Sequence, residues 1–136
     1  MQFTKTIVAA ILATAVSAAP TAEPDWTIKG LKRACDGTKS CTWNFTVDTT
    51  KEKTDCKYVV FSSGSTPADQ ANGGPSTCGP YTVTSGWSGQ FGPDNGFTTF
   101  AVKNDAKKLI SYPAYTDKEV KDGKTVADKS FKVYTF

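Results

Sequence analysis

The sequence predicts an all-β fold, a small antiparallel β-barrel or sandwich of about seven to eight short strands. Three observations predict it. Runs of β-branched and aromatic residues recur at spacings of roughly 8 to 15 residues. Gly, Pro, Asn or Asp bounds each run, which is turn chemistry. Helical periodicity is weak everywhere after residue 18.

Taken in order, Lys5 precedes the apolar run Ile7 to Val16, and Val16-Ser17-Ala18 has the form a signal peptidase reads. Residues 1–18 are therefore expected to be a secretion signal. A membrane anchor would need about 20 apolar residues, whereas Pro20, Glu23, Pro24 and Asp25 follow this run at once. No membrane span is expected. Residues 19–25 read as a flexible lead-in and residues 26–136 as a single β domain, exported to the extracellular space.

The first strand of that domain is expected at Trp26 to Cys35. Strict alternation puts Trp26 and Ile28 on one face and Leu31, Arg33 and Cys35 on the other. A β-bulge at Gly30 would bring Leu31 and Cys35 onto the Trp26 face. After the loop Asp36 to Ser40, the residues Cys41, Trp43, Phe45 and Val47 alternate cleanly with Thr42, Asn44, Thr46 and Asp48. This is the clearest strand, and it places Trp43 in the core. Cys56 to Phe61 is the third. Both of its faces are apolar, which predicts a central or sandwiched position.

Ser62 to Thr77 is rich in Ser, Gly and Pro, has no apolar period, and reads as a long loop that is either functional or mobile. Beyond it, Tyr81 to Thr84, Phe97 to Val102 and Leu109 to Tyr112 read as three consecutive antiparallel strands. Gly92 to Gly96 and Asn104 to Ala106 are their connections. A last strand is expected at Phe131 to Tyr134, after the charged segment Asp117 to Lys129.

Four cysteines in an exported domain allow three pairings. Cys35 and Cys41 flank a hairpin loop, where opposed Cα atoms lie about 4.5 to 5.5 Å apart, within reach of a disulfide. That leaves Cys56 with Cys78, a bridge across the base of the long loop. Zinc is the competing use of cysteine, but the chain has no His and no Cys-x-x-Cys spacing, so no metal is expected.

The absence of His also excludes Ser-His-Asp and Cys-His catalysis. Gly86-Trp87-Ser88-Gly89-Gln90 has the wrong register for a nucleophile elbow. Paired carboxylates are the remaining enzyme reading, with Asp69, Asp94, Asp105, Asp117 and Glu119 as candidates. Asp94-Asn95-Gly96, Asn104-Asp105 and Asp122-Gly123 are more simply turns. The chain is therefore read as non-enzymatic, without catalytic residues or cofactor. The chain carries 16 basic and 13 acidic residues, and loss of Lys5 with the signal lowers the charge by one. Its lysines are scattered, unlike a nucleic-acid footprint, so no nucleic acid is expected as partner. Scattered lysines do suit the protection of exposed strand edges.

Aromatics are the other chemistry available. Trp87, among Ser85, Gly86, Ser88 and Gly89, is expected to close one end of the barrel or else to stand exposed. Tyr112 and Tyr115, around Pro113, are expected at the surface. These three are the interaction candidates. Asn44-Phe45-Thr46 is an N-glycosylation sequon, with Asn44 on the outward face of its strand.

The stretch TVTSGWSGQFG, then GFTTFAV, then YPAYTDKEV with its Asp122-Gly123 turn, carries a family resemblance. With Trp26-Thr27-Ile28 and Cys41-Thr42-Trp43-Asn44-Phe45, it resembles the hypersensitive-response-inducing elicitor family of fungal small secreted proteins. The resemblance runs in order along nearly all of residues 19–136. It implies a monomeric β-barrel-like fold, secretion by a fungus and detection by plants, and it brings no catalytic residues. Two functions of different class follow as expectations. One is a non-enzymatic effector or elicitor that meets a plant apoplastic or cell-surface protein and induces defence or hypersensitive cell death. The alternative is a cell-wall carbohydrate-binding or wall-acting protein, with polysaccharide as its partner.

Overall fold

A computed structural model describes residues 23–136. The expected secretion signal, 1–18, and the start of the lead-in, 19–22, lie outside the described residues. The chain forms two antiparallel sheets packed face to face. Strands β1 (Trp26–Asp36), β2 (Ser40–Asp48) and β3 (Lys53–Phe61) form a meander, and β9 (Lys129–Phe131) pairs with the free side of β1. The second sheet takes β4 (Gly73–Cys78), β5 (Tyr81–Ser88), β6 (Phe97–Asn104), β7 (Leu109–Ser111) and β10 (Val133–Thr135) in the order β10, β7, β6, β5, β4. Strand β8 (Ala114–Thr116) pairs with the other end of β6. The sheets do not close into a barrel, so of the two architectures the sequence allows, the sandwich is the one formed.

Both edges of the sandwich are nevertheless tied. At one edge β3 and β4 are joined by Cys56–Cys78. At the other, the chain leaves β9 in the first sheet, turns through Lys132 and enters β10 in the second. The expected single strand Phe131 to Tyr134 is thus two short strands that change sheet. Cys35–Cys41 lies within the β1–β2 hairpin, where the two residues stand opposite each other. Both disulfides are those that loop geometry favours.

The bulge expected in β1 is present. Register slips between Lys29 and Lys32, and Gly30 adopts φ +62°, a conformation that favours glycine. Its N–H, lost to the ladder, donates instead to Asp128 Oδ1 at 3.1 Å. The slip buries Leu31 beside Trp26 and Ile28. Cys35 comes to the same face, directly opposite buried Cys41, and is itself exposed.

Core side chains alternate along both inner faces: Trp26, Trp43, Phe45 and Tyr58 from one sheet meet Tyr81, Val83, Phe100 and Tyr115 from the other. Phe100 is the centre of this set. Its ring lies edge-on to Trp43 at 4.9 Å, Tyr58 at 5.7 Å and Tyr115 at 6.5 Å, and tilted against Phe45 at 6.0 Å. The Tyr58 hydroxyl reaches across to Ser85 Oγ at 2.7 Å, so the sheets also share a hydrogen bond.

Three further expectations are corrected. Strand β3 is an edge strand rather than a central one, and Phe61 on its outward face is 67 % exposed. Residues 62–77 are not an irregular loop: they hold a single helical turn at Ala68–Gln70 and most of β4. The turn is anchored by Ala68 N–H donating to Thr38 O at 2.9 Å, and Ala68 and Ala71 are buried. Finally, Tyr115 is not at the surface, because burial keeps alternating past the end of β7. Ser111, Pro113 and Tyr115 are all buried in alternation, carrying the chain into β8.

Candidate functional site

Trp87 lies near the end of β5, opposite Thr98 of β6. A Cβ on Gly89 or on Gly96 would stand 2.6 Å from its six-membered ring. Only glycine fits at either place, and the indole lies in the slot that the two leave. Its Nε1–H donates to Asp117 Oδ2 at 2.9 Å, and its backbone N–H to Asn72 Oδ1 at 3.1 Å. The other Asp117 oxygen accepts from Arg33 Nη1 at 3.3 Å. Arg33 in turn lies over the Trp43 ring, 5.6 Å from its centroid.

Trp87, Gly89, Gly96, Asp117 and Arg33 line an open cleft of about 850 Å³, with Asp69, Asp94, Lys118 and Lys121 among its other charges. The floor is rigid, since the Arg33 side chain is only 10 % exposed and the Asp117 side chain 31 %. Asp117 N–H donates to Gly96 O at 3.0 Å, which fixes the carboxylate from its own backbone. Both carboxylate oxygens are engaged by donors. Such a carboxylate orients an indole and neutralises a guanidinium. Trp87 thus stands half-exposed at the cleft, held by its small neighbours and by Asp117.

The three aromatic candidates are not brought together. Tyr112 is on the surface, 50 % exposed, with its ring 6.1 Å from Tyr134 on the outer face of the second sheet. Tyr115 is corrected: it is a core residue, 2 % exposed, packed on Phe100 and on Phe131 at 5.9 Å. Asn44 stands half-buried on the outward face of β2, between Lys32 and Lys57 on its neighbours. Arg33 was not legible as a site residue. A lone arginine in a strand carries no signal of the Asp117 partner 84 positions away.

Tyr115 has an unusual environment. Its hydroxyl is buried and finds no hydrogen-bond partner among the described residues. Burial, with Glu119 and Asp128 adding, pushes the phenol well above its ordinary range. Lys129 lies over the ring, 5.0 Å from its centroid, and pairs with Glu119 Oε2. Tyr115→Phe removes an unsatisfied buried group at almost constant shape, and is expected to raise stability by about 1 kcal/mol. A lowered denaturation midpoint would show that the hydroxyl is bonded in solution.

Glu119 is subject to opposing effects. Burial raises its pKa, but the Lys129 ammonium and the Thr116 donors outweigh it and hold the carboxyl below its ordinary 4.5. A folded-state pKa below the unfolded one gives stability that is present above about pH 4.5 and is lost as pH falls through the folded value. Glu119→Gln is therefore expected to flatten the acid limb of the stability curve below that pH. Equal acid slopes in the two proteins would remove Glu119 from the account.

Comparison with known proteins adds a relationship over nearly the whole chain. Residues 27–135 match the family model described as Effector TSP1. A curated protein called Effector TSP1, from the fungus Hypocrea virens (strain Gv29-8 / FGSC 10586), is 56 % identical over 138 residues, which cover 93 % of this chain and 92 % of that protein.

Proposed function

The chain belongs to the Effector TSP1 family, a family of fungal effectors, and from that premise we propose that it is a secreted protein that plant tissue recognises, inducing defence or hypersensitive cell death without a bond-breaking step of its own. The observation that carries the reading is the state of Asp117. The cleft beside Trp87 holds a carboxylate whose two oxygens are occupied by Arg33 and Trp87. A rigid surface fits recognition better than catalysis. The partner in this reading is a plant apoplastic or cell-surface protein, met by a monomer, with Asn44 as an acceptor for an N-linked glycan.

Interfaces concentrate binding energy in a few packed aromatic or Arg residues. Of the three aromatic candidates, Trp87 and Tyr112 have the exposure this requires, and Tyr115 does not. Leaf infiltration with folded variants at equal dose tests the reading, scored by oxidative burst and cell death. Tyr112→Ala is expected to weaken the response more than Asp94→Asn does. Suppose Asp94→Asn alone abolished the response in a protein of unchanged melting, and the wild type released sugars from wall polysaccharide. A hydrolase would then replace the effector as described.

A further inference from the structure

At the end of the second sheet away from the Trp87 cleft, register builds an aromatic surface. Lys103, Ile110 and Tyr134 form one row across β6, β7 and β10. By the period of two, Tyr112 and Phe136 share their outward face. Tyr112, Tyr134 and Phe136 with Ile110 and Thr135 line a shallow open groove of about 260 Å³. Tyr112 is 50 % and Phe136 46 % exposed, so a pair of large rings faces solvent on a rigid sheet. Phe136 is held there by its N–H donating to Lys108 O at 3.2 Å.

The surroundings are basic. Lys103 and Lys108 ammonium groups lie 5.7 and 5.5 Å from the Phe136 ring centroid, and exposed Lys132 stands two residues before Tyr134, on its face by the period of two. Asp105 pairs with Lys103 at 3.5 Å. Among the described residues, none of the ion pairs includes Lys108 or Lys132. An occupant should therefore offer flat apolar faces and negative charge together. A groove lined by five residues offers a small contact surface. Sugar rings fit its size.

We propose that this face binds an acidic polysaccharide, a polymer of uronic acids, with pyranose faces stacking on Tyr112 and Tyr134 and carboxylates meeting Lys108 and Lys132. The inference goes beyond recognition by plant tissue; the two share Tyr112, and direct titration of the pure protein with polysaccharide fails or succeeds independently of the leaf response. Such binding gives the protein a means of staying in an acidic wall matrix.

The test is titration of the full chain with polygalacturonate oligomers at moderate salt, beside neutral galactan oligomers, phosphatidylserine vesicles and an acidic protein. Saturable binding to polygalacturonate alone is expected. Tyr112→Ala, which removes an exposed side chain and leaves the fold intact, should weaken it about tenfold, equivalent to about 1.4 kcal/mol. Lys108→Glu should do the same, and Tyr112→Phe should retain binding. Four results would each overturn the proposal: no binding; equal binding of neutral galactan; preference for the vesicles or the acidic protein; or polygalacturonate binding untouched by Tyr112→Ala, which would mean bulk charge attraction only.

Discussion

Phe100→Ala is expected to cost about 3 to 5 kcal/mol, the range for deleting a large buried aromatic. Phe100 touches aromatics of both sheets, with Trp43, Phe45 and Tyr58 on one side and Tyr115 on its own. Its removal leaves a cavity where four rings lose their edge contacts at once. Relaxation cannot fill it, because the sheets are tethered at both edges and cannot slide together. With about 5 to 15 kcal/mol to lose in a domain of ordinary stability, the variant should be marginal. Trp43→Ala should lie in the same range, with an added loss of the ring under Arg33. Urea denaturation of both checks this. A Phe100→Ala midpoint close to wild type would mean that the core repacks and that the sheets are less firmly spaced than they look.

The elements that were legible in sequence are those in which packing obeys a simple period. Strand β2 reads correctly because Cys41, Trp43, Phe45 and Val47 all face the core without a break. Gly30 was legible because the wrong parity of Leu31 required one extra residue, and a glycine stood at the place. Strand β4 was not legible, since Gly73-Gly74-Pro75 looks like loop. Its residues answer to close approach rather than to period. A Cβ on Gly73 would stand 2.7 Å from the Tyr58 hydroxyl and 2.8 Å from Val60, and Pro75 is tolerated because β4 is an edge that need not donate on its outer side.

Tyr115 was misplaced for the opposite reason. The alternation of the Leu109 to Tyr112 strand continues past its end, inward through Ser111, Pro113 and Tyr115. The same period, followed past Val133, would have marked Tyr134 and Phe136 as outward aromatics beside Tyr112. At the cleft, the glycines of the segment around Trp87 signalled a crowded indole. They could not signal what holds it. Asp117 is 30 positions from Trp87 and 84 from Arg33, and only the crossing of β1, β5 and β8 at one end of the sandwich makes the three neighbours.

Replacing Cys56 and Cys78 together by Ala is expected to cost about 3 kcal/mol by loop entropy, against about 2 kcal/mol for the Cys35 and Cys41 pair. The difference follows from what each bridge closes. Cys56–Cys78 spans 22 positions and Cys35–Cys41 only 6, so the first removes more freedom from the unfolded chain. The native state widens the gap. Cys35 and Cys41 face each other across a β1–β2 ladder that backbone pairing already holds, whereas Cys56 and Cys78 belong to β3 and β4, edge strands of different sheets that share no ladder. Without that bridge, this edge of the sandwich keeps the Tyr58 to Ser85 hydrogen bond and side-chain packing. Its β3 and β4 backbones should then show faster amide exchange, while β9 and β10 at the opposite edge stay protected. Equal losses from the two double substitutions, or protection unchanged in β3 and β4, would show that packing alone holds that edge and that the staple acts only on the unfolded chain.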